Sequence, residues 1–372
     1  MPSSTINDAD RQPSTEGSGS ADEDPLLHIK KCLALFPDNL GDKLAAFKAK
    51  VVSAESILIL THDYPDPDCI ASAYGVSHLL EFWGKTNTTI SFGGFVGRAE
   101  NRAMIRYLNI NIIPYVLLEI KDFDCIILVD CFPGRNNVSL PSTTPITAVL
   151  DHHYVDNMNN LPFFHDVRCD MGATSTIVTE YLLKAGCYIP TKLATALFYG
   201  IMTDTGDMGR DTSIEDIECY RILFDAMDSR LLARIQHPDR DAEFFRIMHR
   251  GVESMTVYNN VGHVHLGQII SPDYVGEMID IFHSLEKIEI TICTGIFKKN
   301  VFFSIRSKHR DEAGRSAESI AKALNGGGGG HGRAGAGRIP FTPEQGVTII
   351  DRFIAIFKET FNIADVNGNK IV

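Results

Sequence analysis

Apolar residues are laid along this chain in short continuous runs separated by amphipathic stretches. The runs at 56–60 (SILIL), 124–129 (DCIILV) and 146–150 (ITAVL) show almost no polar alternation. That is the pattern of strands covered on both faces in a parallel sheet. A shorter strand is expected at 88–92. Helix-length stretches fall at about 26–52, 68–82 and 99–108, then at 173–184 and 192–202. Strands alternating with helices predict an α/β N-terminal domain built on a mainly parallel sheet. Beyond about residue 239 the character changes. A helix over about 242–258 is expected to cross between domains. Strand candidates follow at 262–266, 288–297 and 301–307, with helices at about 274–285, 317–324 and 343–361. This second unit reads as a smaller α+β domain. The expected division is a disordered tail at 1–24, a catalytic domain at 25–238, a helical linker at 239–258 and a second domain at 259–365.

Composition changes this picture in three places. With 372 residues, 44% apolar and 22% charged, the chain can bury two cores and is not mostly disordered. Thirty-five basic against 47 acidic side chains give a net charge of −12, which excludes bulk, sequence-independent DNA binding. The eight cysteines include no CxxC pair and sit mostly in apolar contexts, as reduced cysteines do. The polar first 24 residues carry no secretory signal, and no apolar run approaches the roughly 18 residues of a membrane helix. A cytoplasmic protein without a membrane partner is expected.

The chemistry is written at the strand ends. In an open parallel sheet, ligands sit beyond the carboxyl ends of the strands. The first run leads into Thr61-His62-Asp63-Tyr64-Pro65-Asp66-Pro67-Asp68, the second ends at Asp130, and the third ends at Asp151-His152-His153. A fourth cluster, Thr203-Asp204-Thr205-Gly206-Asp207, closes the apolar helix that starts near Lys192. A single strand-end aspartate is usually a cap or turn residue. Several together crowd like charges that a cation would neutralise. Carboxylates with imidazoles suit Mn²⁺, Mg²⁺ or Fe²⁺, with Zn²⁺ also compatible, and the absence of nearby cysteine ligands disfavours a structural zinc site.

These motifs resemble those of the DHH phosphoesterases, within them the branch of nanoRNases and pAp phosphatases that carries a glycine-rich C-terminal domain. The segment from His62 to Asp68 matches the first motif, Asp130 the second, Asp151-His152-His153 the third and Thr203–Gly206 the fourth. Arg306-Ser-Lys308 and the run from Gly326 to His331 match the associated domain. The resemblance implies two divalent metal ions, Mn²⁺ foremost. One would be held by His62 and Asp66, the other by Asp68, His152 and Asp204, with Asp130 bridging both. Asp151 would orient a histidine. His153 would act on the phosphate or protonate the leaving oxygen, unless it is a supporting histidine only. Cys69 stands where the family has a small alanine.

The five glycines from Gly326 to Gly330 read either as a flexible linker or as a close-approach site for an anion. From Lys298 to Arg338 there are nine basic and three acidic side chains, which favours the second reading. Arg306 and His331 are the expected contacts, with Gly328, Gly329 and Gly330 beside them. The expected activity is hydrolysis of dinucleotides and other very short RNA or DNA oligonucleotides, extending to the nucleoside bisphosphate pAp. Alternatives are a cyclic-dinucleotide or pGpG phosphodiesterase, an inorganic pyrophosphatase, and a non-catalytic nucleotide-binding regulator. Homodimerisation is left open.

Overall fold

The computed structural model describes residues 36–135, 137–155, 158, 161–309, 312–331, 333–342, 348–364 and 368–372. The expected tail at 1–24, and the helix expectation at 26–35 and 343–347, lie outside these residues.

The first domain opens with α1 (Leu40–Val51), then β1 (Ile57–Leu60), α2 (Pro67–Phe82), β2 (Thr88–Phe92), α3 (Ala99–Leu108) and β3 (Ile112–Pro114). It continues with β4 (Cys125–Val129), β5 (Ala148–Asp151), β6 (Phe164–Val167), α4 (Thr174–Lys184), α5 (Thr191–Asp204), α6 (Ile214–Ala226) and α7 (Ser229–Gln236). Its six strands pair in parallel in the order β3-β2-β1-β4-β5-β6. The chain runs outward from β1 in one direction and then returns to build the other half, so the order reverses between β1 and β4. That reversal opens a crevice at the carboxyl ends of those two strands.

Side-chain alternation explains why β1 is apolar throughout. Ile57 and Ile59 enter the core under α1, α2, α4 and α5, while Leu58 and Leu60 pack on the opposite face against Phe132 and Val149. Each fully buried side chain of this kind contributes roughly 1.5–3 kcal/mol. The helices fit closely. A Cβ on Gly200 of α5 would lie 2.4 Å from Ser175 Oγ and 3.2 Å from the Asp68 backbone, so only glycine lets α5 settle there and bring Asp204 to the crevice.

The second domain contains α8 (Ala242–Ser254), β7 (Thr256–Tyr258), β8 (Val261–Gln268), α9 (Asp273–Phe282), β9 (Ile290–Phe297) and β10 (Asn300–Ser307). It ends with α10 (Glu312–Ala323), β11 (Gly327–His331), β12 (Ala334–Pro340), α11 (Ile349–Thr360) and β13 (Asn369–Lys370). A seven-stranded mixed sheet results, in the order β11-β12-β10-β9-β8-β7-β13, with only β8 and β9 parallel. Helices α10 and α11 cover one face, and α8 and α9 the other.

Three expectations are corrected. The helix expected to run to Tyr258 stops at Ser254, because the chain turns extended to add β7 to the sheet edge. The helix expected from 317 begins at Glu312, and its first turn packs on the glycine strands. The glycine run is not the flexible linker of the first reading, being extended and paired from Gly327 onward. It is strand β11, paired antiparallel with β12 from Gly327↔Arg338 to His331↔Ala334.

Candidate metal centre

Each strand end delivers its side chain through a local device. Asp66 caps α2, accepting from the Cys69 amide at Oδ1 (3.0 Å) and leaving Oδ2 toward the crevice. Asp68, in the first turn of α2, is fully buried. Its carboxylate accepts from the Thr174 and Ser175 amides, both at 2.8 Å, so it also caps α4. Asp130 follows β4 in the left-handed region (φ 59°), a strain that costs a non-glycine residue on the order of 1–3 kcal/mol. Its amide donates to Leu150 of β5 at 2.8 Å, and the Thr174 hydroxyl donates to its Oδ1 at 2.8 Å.

The histidines are oriented by carbonyls. His62 Nδ1 donates to the Asp63 carbonyl (2.9 Å) and His152 Nδ1 to the Met171 carbonyl (3.2 Å), because a carbonyl oxygen can only accept. Both rings therefore turn Nε2 inward. His62 Nε2 lies 3.7 Å from Asp66 and 3.5 Å from Asp130; His152 Nε2 lies 3.1 Å from Asp204 and 3.5 Å from Asp130. His153 Nδ1 pairs with Asp151 at 2.8 Å and sits 3.6 Å from Asp130. Asp151 thus orients His153, not His152. Asp63 is turned away, accepting from the Ser139 amide and hydroxyl, and serves the loop.

The donors fall into three overlapping groups: His62, Asp66, Cys69 and Asp130; Asp130, His152 and His153; and Asp68, His152 and Asp204. The structure therefore brings all six expected ligands and His153 into one crevice. Burial opposes a charged His62, yet Cys69, Asp130 and Asp66 beside it hold its pKa well above the usual value. Burial is likewise outweighed at His152 by Asp204, Asp130 and Asp68. Asp68 is pushed well up by burial and by the neighbouring Asp130 and Asp204, and burial also raises Asp204. Protons shared among carboxylates and imidazoles thus balance this cluster. A divalent cation could take their place. His152 Nε2 is a buried nitrogen with no well-formed hydrogen bond, which is what a ligand atom awaiting a cation looks like, so the donor set fits.

Cys69, noted in the sequence only as a departure from the family motif, stands within the first donor group, so the expectation that no cysteine lies near the site is corrected. It is fully buried, burial pushes its thiol up to about 12, and it donates to the Asp66 carbonyl at 3.4 Å. Thr174 and the Met171 carbonyl were missed. The run Gly172-Ala173-Thr174-Ser175 before a helix was their only signal, and it marks a helix start as readily as a site.

The expected phosphate contacts lie in the second domain. Arg306, on β10, donates through Nε to Asp280 at 2.8 Å. Along β11, Gly328 faces α10, where a Cβ would meet the Ala317 carbonyl oxygen at 2.7 Å. Gly329 faces open space. A Cβ on Gly330 would meet the Ala334 carbonyl oxygen at 2.2 Å. The side chain of His331 lies outside the described structure. Among the described residues, no helix is long and apolar enough to cross a membrane.

Comparison with known proteins follows the same two-part division. Residues 56–201 match the DHH family, N-terminal domain, and residues 257–361 match the DHHA1 domain. The chain is 34% identical to an uncharacterized protein of Methanocaldococcus jannaschii over 286 residues, 76% of this chain and 58% of that protein. It is 32% identical to a probable manganese-dependent inorganic pyrophosphatase of Lactococcus lactis subsp. lactis over 157 residues, 41% of this chain and 49% of that protein. The chain thus spans between about half and three fifths of these relatives. An exopolyphosphatase-related protein from Bacteroides fragilis shares the fold, with a TM-score of 0.69 at 20% identity over 87% of this chain and 98% of its own.

Proposed function

The chain belongs to the DHH family of phosphoesterases, and from that premise we propose a two-metal hydrolase of very short oligonucleotides that also accepts pAp. The observation that carries this reading is the sharing of Asp130 between donor groups at the switch point of the sheet. His62 and Asp66 would hold one divalent ion, Asp68, His152 and Asp204 the other, and Asp130 both. The manganese dependence in the name of the Lactococcus lactis relative supports Mn²⁺. Such ions would neutralise charge on the phosphate and lower the pKa of the attacking water.

The chain's own residues have distinct tasks. The Asp63 and Met171 carbonyls fix both metal-facing imidazoles with Nε2 inward. Thr174 holds Asp130 in its strained conformation. His153 is the proposed proton donor to the leaving oxygen. Its Nδ1 is committed to Asp151, so any exchange with substrate runs through Nε2. Arg306 and the open face of β11 at Gly329 would receive a second phosphate of the substrate. A phosphate held there, apart from the metals, is the basis for preferring a dinucleotide to a long strand.

The competing reading is an inorganic pyrophosphatase, favoured by the name of the Lactococcus lactis relative over the part of the chain it matches. A hydrolysis panel decides between them. Purified protein is offered dinucleotides, pAp, pGpG, a cyclic dinucleotide, pyrophosphate and a 24-nucleotide RNA, with Mn²⁺ or Mg²⁺. Dinucleotide turnover that falls steeply with length supports the proposal. Pyrophosphate turnover alone, or equal turnover of the long RNA, overturns it.

A further inference from the structure

At the seam between the domains, two arginines meet on one carboxylate. Arg98, the residue before α3, places Nη2 2.9 Å from Asp280 Oδ2, and Arg306 places Nε 2.8 Å from Asp280 Oδ1. We infer that Arg98 and Arg306 form a two-domain clamp for a phosphomonoester, and that Asp280 occupies the clamp until the ligand displaces it. The inference rests on the phosphoesterase reading above and adds to it a gripping residue from the catalytic domain and a built-in competitor.

Charge balance argues for exchange. Two guanidinium groups on one carboxylate leave a positive excess, whereas a terminal phosphate carries about −1.5 to −2 and offers three acceptor oxygens. Such a phosphate suits the pair better than Asp280 does. Lys308 and Arg306 stand near enough to His283 at the end of α9 to help burial lower its pKa, so the surroundings add further positive charge. A contrasting node lies on the same seam. Arg240 is shared by Glu100 and Glu277, and Glu277 also accepts from the Ala99 amide at 2.9 Å. There one cation meets two carboxylates, a node with no positive excess to draw in a phosphate, so it can hold the domains together while the Asp280 node opens.

Position and access agree. Arg98 and Asp280 are 47% and 41% exposed, so exchange needs no unfolding. One turn beyond Arg98, Asn101 donates to the Pro65 carbonyl at 2.9 Å, which fastens this helix start to the loop carrying Asp66. The Arg98 half of the clamp is therefore anchored beside the candidate metal centre.

The test is calorimetric binding of AMP, with adenosine as control, to the full chain in chelator and again with Mn²⁺. Arg98→Ala should weaken AMP about tenfold or more, Arg98→Lys should recover only part of this, and adenosine should not respond. If Asp280 covers the clamp about nine-tenths of the time, Asp280→Asn should tighten AMP roughly tenfold. Its unfolding midpoint should stay near the parent's, because the Arg240 node persists. Unchanged AMP affinity in Arg98→Ala, or weaker or unchanged affinity in Asp280→Asn, overturns the clamp. If the AMP pattern holds while no dinucleotide is hydrolysed, the substrate proposal fails and the clamp stands.

Discussion

Replacing single glycines of β11 separates packing from ligand contact within one strand. At Gly328 a methyl group would sit 2.7 Å from the Ala317 carbonyl oxygen and 2.9 Å from Ala321 Cβ, both on α10. Ordinary contact begins near 3.4 Å, so the helix would have to retreat by roughly 0.7 Å. A gap of that size forfeits about a quarter to a half of each contact well along the buried face of Ala313, Ala317, Ile320 and Ala321. Gly328→Ala should therefore cost about 1–3 kcal/mol. At Gly329, one residue on, a methyl group meets nothing within 4 Å. Gly329→Ala should leave stability unchanged or raise it by about 0.4–1 kcal/mol through the unfolded chain. Guanidinium unfolding followed by far-ultraviolet circular dichroism measures the difference, and AMP titration of the stable Gly329→Ala protein then reads ligand contact alone. Equal midpoints for the two variants, or a less stable Gly329→Ala, would refute the reasoning.

Three further outcomes are expected. Asp130→Asn should fold, since asparagine tolerates φ 59°, but should lose metal content by elemental analysis and hydrolysis by several orders of magnitude; near-normal turnover with full metal would contradict the shared-ligand arrangement. Thr174→Val leaves a buried Asp130 oxygen short of a donor and should cost about 1–3 kcal/mol in denaturant unfolding, while Thr174→Ser should not; equal losses would sink this role for the hydroxyl. In chelator, stability should fall as pH rises above about 6.5. The folded-state pKa values of His62 and His152 are raised, so their contribution is complete below about 6.5 and is lost as pH climbs through the raised values. Melting curves in EDTA that stay flat or rise with pH would be incompatible with that cluster.

How far the sequence could be read depended on what each segment packs against. Strands covered on both faces and helices with one apolar stripe were legible: 88–92 and 99–108 agree with the structure to the residue. Helix α6 was not legible, because Ile214, Ile217 and Phe224 are exposed and blur its apolar stripe. Strands β3 and β6 are three and four residues long and only partly buried, too short to show a period. Strand β11 was invisible because glycine has little β-propensity; its place is set by the close approach of α10. The ligand set was legible because it lies at strand ends. The groups that orient it were not, being backbone carbonyls and helix amides supplied by the fold.

The strand order also sets a timetable for synthesis. Strand β1 pairs with β4, so the group of His62, Asp66 and Asp130 has all its members once the chain has been made through residue 130. The group of Asp68, His152 and Asp204 must wait for α5, 74 residues later. At roughly 5–20 residues per second, the ribosome separates these two events by about 4–15 s. During that interval the nascent chain can offer the first donor group while the second lacks Asp204, so a cation that enters early meets a site with one half still unborn.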